Sequence, residues 1–319
     1  MAVALKPGWS KPCTILFASE CPPNEKIFGF ALAQAAEFHA HLIIFHVYDN
    51  SGMSAFRASE MRCYYDADAR AEKHHLEPLA QRAWNLGIHT KIIVQPGLPA
   101  DEILTYLRRH NVDRVVMGAH SPGPVGKLLV GPVAEEVLRK ASVPVCFVGP
   151  NVGEGTFRNL VTRKVLCDVS KQEASHVVAN FGAGLAVKHN ASLILHHVIP
   201  PQERAEVLGD RTTDQIEAEL PSLVPVKLKH KVSVLTRVAL GDPADELLCH
   251  GRSQQADLIV LGAQGASQFA AVTRFGIVYK VLAYAHCPVI TLSPIVLAER
   301  GAREDGPRAL EVNYMAGVV

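Results

Sequence analysis

A glycine-rich turn between a predicted strand and a predicted helix is the part of this sequence best suited to binding an anion. It covers residues 118–132 and reads GAHSPGPVGKLLVGP. Such a turn presents backbone N–H groups, and the helix that follows adds the positive end of its dipole, so both features favour a phosphate group. The glycines also have a purely structural interpretation, because they let a strand and a helix pack closely without any ligand.

Two pairs of adjacent histidines, His74-His75 and His196-His197, raise the question of a metal site. Neighbouring residues on a strand point to opposite faces, and successive residues on a helix diverge by about 100°. Neither pair is suited to chelating one ion, so we predict no metal site. His46 and His197 occupy equivalent strand positions. They either line the ligand end of the sheet or, as we favour, are hydrogen-bonded structural residues.

The elements that must position the turn occur twice in the chain. Residues 97–104 (GLPADEIL) precede a strand that ends at Gly118, and residues 241–248 (GDPADELL) precede a strand that ends at Gly262. Both landmarks are offset by 144 residues. A constant offset predicts two copies of one domain.

Short apolar runs alternate with helical patterns in both copies. The runs are continuous rather than alternating, which is typical of strands buried on both faces of a parallel sheet. Residues 59–86 are predicted as one long helix, either a docking surface or a lid over the sheet, and residues 203–220 as a less regular helix. We predict strands at residues 14–18, 41–47, 91–94, 112–117 and 145–148, and at 164–167, 192–198, 234–238, 258–261 and 289–292.

The predicted fold class is α/β, with two tandem Rossmann-like domains, each a five-stranded parallel sheet flanked by helices. We expect a first domain at residues 1–150, a linker at 151–163, a second domain at 164–294 and a C-terminal tail at 295–319. In doubly wound sheets, ligands bind beyond the carboxyl ends of the strands, where the strand order reverses. Strands one and four of the first copy end there.

Composition argues against several classes of function. The 319 residues are 48% hydrophobic and 20% charged, with a formal net charge of +1. No broad field favours nucleic acid or an anionic membrane, and no apolar run approaches the ~18 residues of a membrane span. The seven cysteines are scattered without a C-x-x-C pair, which suits thiols in a reducing cytosol. We expect a cytoplasmic protein with no nucleic-acid or membrane partner.

The whole chain resembles a tandem universal stress protein over residues 12–149 and 163–294. Nucleotide-binding members of that family carry G-x2-G-x9-G-[S/T] after the fourth strand, followed by a helix and a fifth strand led by proline. The resemblance implies an adenine nucleotide alpha hydrolase-like fold and an adenine nucleotide as ligand. The first copy reads Gly118-x2-Ser121-x9-Gly131-Pro132, and the second reads Gly262-x2-Gly265-x9-Phe275-Gly276.

Both copies depart from the family's phosphate motif. In the first copy Ser121 replaces a glycine, and Pro132 replaces a Ser or Thr that would offer a hydroxyl and an N–H. In the second copy the bulky Phe275 stands at the third glycine position, and Gly276 lies one residue later. A one-residue slip of the loop would restore that glycine.

The resemblance also implies an acidic residue that contacts the nucleoside after the first strand. That position is Glu20 in the first copy and Ser170 in the second, so the first copy is the better candidate. The implied nucleotide-binding residues are Glu20, Val47, Gly118, Ser121, Gly123, Gly126 and Gly131, with Lys127 as a phosphate contact, and Gly262, Gly265 and Gly276 in the second copy.

The leading hypothesis is a non-catalytic stress-response binding or signalling module. Its ligand would be ATP or another adenine nucleotide, with Mg²⁺ bound only together with the nucleotide. The resemblance implies that the copies pair within the chain through their fifth strands, around a pseudo-two-fold axis, and a homodimer of the whole chain is a further expectation. One alternative is a nucleotide-free scaffold with decayed motifs. Another is a weak ATP hydrolase, although the sequence has no G-x-x-x-x-G-K-[ST] phosphate loop.

Overall fold

Strands and helices alternate through the first copy as the apolar runs predict. The computed structural model describes residues 10–48, 58–122, 128–153, 162–170, 172–263 and 271–298. The strands are β1 Thr14–Ser19, β2 His41–Tyr48, β3 Thr90–Pro96, β4 Arg114–Gly118, β5 His120–Pro122, β6 Leu128–Val130 and β7 Val145–Val148. The helices are α1 Glu25–Phe38, α2 Ala58–Asn85, α3 Pro99–Arg109 and α4 Pro132–Lys140.

The second copy repeats this order with a different segment between its second and third strands. Its strands are β8 Lys164–Asp168, β9 Ser192–Ile199, β10 Val234–Leu240, β11 Leu258–Gly262 and β12 Val289–Leu292. Its helices are α5 Gln172–His189, α6 Arg204–Leu208, α7 Thr213–Glu219, α8 Val226–Lys229, α9 Pro243–Gln254, α10 Ala271–Tyr284 and α11 Pro294–Ala298, with 3₁₀ turns at Pro201–Glu203 and Leu220–Leu223.

Ten strands form one continuous sheet in the order β10-β9-β8-β11-β12-β7-β4-β1-β2-β3. Within each copy all neighbouring strands of this sheet are parallel, whereas β12 and β7 pair antiparallel, with Ile290 opposite Cys146. Read outward from this junction, both copies have the same strand order. The predicted α/β fold and the pairing through the fifth strands are therefore confirmed.

Two apolar layers cover the faces of the sheet, and each extends across the junction between the copies. One layer contains Phe28 of the first copy together with Ile290 of the second, and the other contains Phe147 together with Val289. The two copies therefore share their core as well as their sheet. Among the described residues, no helix is long and apolar enough to cross a membrane.

The long helix α2 agrees with the prediction for residues 59–86 within one residue at each end. In its C-terminal half, Leu76, Leu79 and Ala83 are buried and the helix packs on β3 and β2. This half of the helix is a lid over the sheet.

The helix predicted at residues 203–220 is broken in the structure. Gly209, with φ of +51°, follows the last residue of α6, and Thr212 starts α7 through a capping box with Gln215. Pro221 then stands at the start of a 3₁₀ turn. A left-handed glycine followed by a new cap ends one helix and begins another, so a single helix cannot form here.

The glycine of each Gly-x-Pro motif is required by the backbone and by a close approach. Gly97 has φ of +140° and Gly241 has φ of +158°. A Cβ atom at these positions would lie 2.7 Å from Cγ of Glu102 and 3.0 Å from Cγ of Glu246, respectively. The repeated motif is therefore explained by the turn that leads from a strand into α3 or α9, without any ligand.

The N-cap of α9 gives a first testable prediction. The Asp242 side chain accepts a 2.9 Å hydrogen bond from the backbone N–H of Asp245, and this bond holds the pKa of the Asp242 carboxyl below its usual range. Asp242→Ala is expected to lower the free energy of unfolding by about 1 kcal/mol at pH 7. Because the folded pKa is depressed, this contribution is present above the unfolded pKa of about 3.9 and is lost as the pH falls below it.

Urea unfolding of wild type and Asp242→Ala at pH 7 and at low pH measures both parts of this prediction. Leu98→Ala serves as the matched control, because Leu98 caps the equivalent helix α3 without a side-chain hydrogen bond. A difference between Asp242→Ala and wild type that stays the same at both pH values would contradict the assigned cap.

Candidate functional site

The candidate site lies where the carboxyl ends of β1 and β4 meet. These neighbouring strands pair with Phe17 opposite Val116, and continuing that register brings Ser19 level with Gly118. β2 and β7 lie on the outer sides of this pair, so the strand order reverses between β1 and β4. This is the position at which doubly wound sheets bind ligands.

The structure separates the roles of Glu20 and Val47. Glu20 follows the last residue of β1 and is exposed. Val47 is 8% exposed and belongs to the apolar layer that also contains Ile103 and Met117. The Glu20 carboxylate is thus accessible to a ligand, whereas Val47 belongs mainly to the core.

The glycines that end the fourth strands are explained by helix packing. A Cβ atom at Gly118 would lie 2.7 Å from Cδ1 of Ile27 on α1. A Cβ atom at Gly262 would lie 3.1 Å from Cβ of Ala174 on α5. Both glycines therefore have a structural role, which is the interpretation that the sequence left open beside phosphate binding.

The predicted glycine-rich turn is partly regular in the structure. His120–Pro122 and Leu128–Val130 form an antiparallel pair, β5 and β6, with Ser121 opposite Leu129. β6 lies against α10 of the second copy. Gly123, Gly126 and Lys127 lie outside the described residues.

Gly131 and Pro132 start helix α4 beside the end of β4. The backbone N–H of Gly131 donates a 3.2 Å hydrogen bond to the carbonyl oxygen of Ala119. Gly131 has φ of −67° and ψ of 155°, a conformation open to any residue, and Pro132 holds the first helical position. Proline is well suited to that position, because its missing N–H would have no helical partner.

The second copy presents a different geometry. Gly265 lies outside the described residues. Gly276 lies within α10, which begins at Ala271, so its N–H belongs to the helix interior rather than to a helix start. The expected rescue by a one-residue slip is therefore wrong, because the helix has already formed where the third glycine should be.

Ser170, the counterpart of Glu20, is engaged within the protein. Its hydroxyl donates a 2.5 Å hydrogen bond to Oδ1 of Asp168 and accepts a 2.8 Å hydrogen bond from the backbone N–H of Val198. A hydroxyl with both roles filled by the protein is poorly placed to contact a nucleoside.

His46 and His197 are hydrogen-bonded in the same way, which confirms the structural interpretation. Nδ1 of His46 lies 2.9 Å from the carbonyl oxygen of Ser19, and Nδ1 of His197 lies 3.2 Å from that of Val169. Each histidine thus ties the second strand of its copy to the end of the first. The adjacent His196 is fully buried and stacks on His250.

Two residues near His46 were not identified from the sequence. Cys21 follows Glu20, and Glu72 lies on α2; both offer ligand atoms close to the ring of His46. No short motif joins these residues, because they come from three separate elements. The signal that was present is the position of Cys21 at the carboxyl end of a central strand.

A cleft of about 680 Å³ lies along the edge strand β3, outside the predicted site. Basic side chains of Arg70, Lys73 and Lys91 line it together with Tyr106 and His110. The β1–β4 edge is the stronger candidate for a ligand site, because this cleft is a shallow groove on the sheet margin, away from the strand-order reversal.

Similar proteins show where this fold has been seen before. "Universal stress protein MJ0577" of Methanocaldococcus jannaschii is 30% identical over 76 residues, which is 24% of this chain and 47% of that protein. The crystal structure of a universal stress protein from Archaeoglobus fulgidus has a TM-score of 0.66 and 18% identity, and the match covers 88% of this chain and 98% of that chain. At this identity the likeness shows the fold.

A universal stress protein solved in complex with cAMP is 21% identical, with a TM-score of 0.34, and covers 42% of this chain and 98% of its own. A likeness at that TM-score supports no conclusion about the ligand of this chain. The model of the universal stress protein family matches residues 14–149 and again residues 162–293. The chain therefore belongs to the universal stress protein family, with two copies of the family's domain in tandem.

Proposed function

We propose that this chain is a stress-response binding module whose first copy holds ATP or another adenine nucleotide. The supporting observation is the arrangement at the carboxyl end of β1 and β4. The exposed carboxylate of Glu20 lies at this edge, and the N-terminus of α4 is tied to it by the hydrogen bond between Gly131 and Ala119. Family membership supports the same ligand class.

Each part of this arrangement suits one part of a nucleotide. A carboxylate after a strand accepts hydrogen bonds from ribose hydroxyls. The first turn of α4 has N–H groups at Val133 and Ala134 that lack helical partners, and the helix dipole favours a phosphate there. Pro132 removes one further N–H, so we expect weaker phosphate binding than the complete family motif would give. Mg²⁺ would enter with the phosphates.

The second copy fits a nucleotide poorly. Its Ser170 hydroxyl is engaged by Asp168 and Val198, and Gly276 lies inside a helix. We therefore propose one nucleotide per chain, held by the first copy.

Nucleotide binding is tested by denaturing freshly purified protein and identifying the small molecules released by chromatography and mass spectrometry. Wild type is expected to release an adenine nucleotide, and Glu20→Gln and Gly131→Val are expected to release much less. Glu206→Gln is the matched control, because Glu206 is an exposed carboxylate far along the chain in the second copy. If ATP binds to the native state, ATP at 100 times its Kd stabilises wild type by about 2.7 kcal/mol.

A nucleotide-free scaffold is the second candidate function. The observation that favours it is the packing of Gly118 against Ile27, since this glycine lets β4 and α1 approach closely without any ligand. In that case nothing is released from wild type, and the melting temperature does not change at millimolar ATP. Equal release from wild type and Glu20→Gln would also contradict the proposed site.

A further inference from the structure

Three side chains that bind transition metals come together beside the candidate nucleotide site. Cys21 lies just beyond β1, His46 lies on β2 and Glu72 lies on α2. One ligand atom from each lies within 4.8 Å of the other two. A search of the described residues for three or more His, Cys, Asp or Glu side chains close enough to share an ion finds this group.

The histidine ring already has the orientation that a metal ligand requires. The carbonyl oxygen of Ser19 can only accept a hydrogen bond, so Nδ1 of His46, 2.9 Å away, carries the proton. The lone pair of Nε2 then faces the carboxylate, with Oε2 of Glu72 at 3.7 Å. A histidine that ligates a metal usually donates its other N–H to such an oxygen.

Within the described part of the chain, one oxygen of the Glu72 carboxylate lacks a hydrogen bond of good geometry. Oε2 of Glu72 is buried and makes no hydrogen bond of good geometry with the described residues, and the Cys21 thiol is the donor that interacts with this carboxylate. A buried carboxylate oxygen without a donor is unfavourable, and a cation satisfies it. This buried oxygen, which faces the other two side chains of the cluster, is a second observation that points to a bound ion.

We propose that Cys21, His46 and Glu72 bind a zinc ion, with a fourth position open to water or another ligand. Thiolate and imidazole select zinc over magnesium or calcium. Neighbouring ligands of a tetrahedral zinc ion lie about 3.3–3.8 Å apart, given bond lengths of about 2.0–2.3 Å. The observed separations approach this range, so small side-chain movements are enough to close the site.

The proposed site is balanced in both charge and protons. A thiolate and a carboxylate together neutralise the two positive charges of zinc, and the imidazole stays neutral. Without metal, a cysteine thiol carries its proton at neutral pH. Zinc binding forms the S–Zn bond and releases that proton to solvent.

The second copy supplies an internal comparison. His197 keeps the hydrogen bond from Nδ1 to the end of the first strand, at 3.2 Å from the Val169 carbonyl oxygen. The residue that corresponds to Cys21 is Lys171, which cannot supply a thiolate. The histidine is therefore common to both copies, whereas the thiol ligand is particular to the first.

The test measures zinc binding in the full chain without nucleotide, so its outcome does not depend on the proposed nucleotide site. Cys13, Cys63 and Cys249 are first changed to serine, which leaves Cys21 and the three buried cysteines. The protein is stripped with a chelator and titrated with zinc against a chromophoric competitor. We expect one zinc per chain and a Kd at least about 100-fold weaker in Cys21→Ser and in Glu72→Gln.

His197→Gln is the matched control and is expected to bind one zinc with unchanged affinity. Cobalt gives a second readout: a thiolate-to-cobalt charge-transfer band should appear in the parent protein and disappear in Cys21→Ser. Circular dichroism confirms that each variant is folded, and Cys21 and Glu72 are partly exposed, so their substitution is compatible with folding. No zinc in the parent protein, or equal zinc in folded Cys21→Ser and Glu72→Gln, would overturn the proposal.

Discussion

Replacing Ile290 with alanine is expected to lower the free energy of unfolding of both copies together, by about 3 kcal/mol. Ile290 is fully buried in β12 and lies opposite Cys146 of β7 at the junction between the copies. Removal of its side chain leaves a cavity in a layer that contains residues of both copies. Because the sheet and the core are continuous, the first copy should lose its stability along with the second.

Tryptophan fluorescence allows this coupling to be measured. Trp84 lies on α2 of the first copy, so in a Trp9→Phe background its fluorescence reports on that copy, whereas far-UV circular dichroism reports on the whole chain. In urea, both signals of Ile290→Ala are expected to shift to the same lower midpoint. Leu235→Ala is the control, because Leu235 is 45% exposed on the outer strand β10. An unchanged fluorescence midpoint in Ile290→Ala would show that the copies unfold separately.

A second large effect is expected from the buried His196. Its ring is fully buried, and neither nitrogen has a hydrogen-bond partner among the described residues. Burial, with smaller effects of His250 and Arg237, lowers the pKa of His196 to about 3. The unfolded chain has a histidine pKa of about 6.5, so below that pH the unfolded state binds a proton that the native state does not bind.

The contribution of His196 is therefore fully present above about pH 6.5 and is lost as the pH falls toward the folded pKa. Between pH 7 and pH 4.5 the loss is about 3 kcal/mol. His196→Leu is expected to remove this part of the acid destabilisation, because leucine fills the apolar site without titrating. Urea unfolding at both pH values measures it, with His75→Leu as the exposed control. An equal decline in wild type and His196→Leu would contradict the assignment.

The ten strands of the main sheet could be predicted from the sequence, because strands buried on both faces are continuous apolar runs. Because the chain contains two copies, the same pattern of apolar runs supports each strand twice. The segment at residues 203–220 could not be predicted in the same way, because its breaks depend on the backbone of Gly209 and on the cap at Thr212. Such local conformations carry little periodic signal.

The candidate site was predicted less completely than the fold. The position of Glu20 at the end of β1 follows from the strand pattern, but the start of α10 before Gly276 depends on how the preceding loop packs. Cys21, His46 and Glu72 lie in three elements, and only the folded sheet with α2 across it brings them together. Spacing rules detect metal ligands within one element and cannot detect this arrangement.

The antiparallel junction between β7 and β12 lies within one chain, so dilution cannot separate its two halves. Two free domains of this kind would form a pair only above their dissociation constant, whereas the linked halves meet at a fixed, high effective concentration. The link also fixes the stoichiometry, because every chain contains one first copy and one second copy. Identical halves must match themselves, but linked halves need only match each other, so a cysteine can stand at position 21 while a lysine stands at position 171. Every molecule therefore carries both specialised copies in equal number.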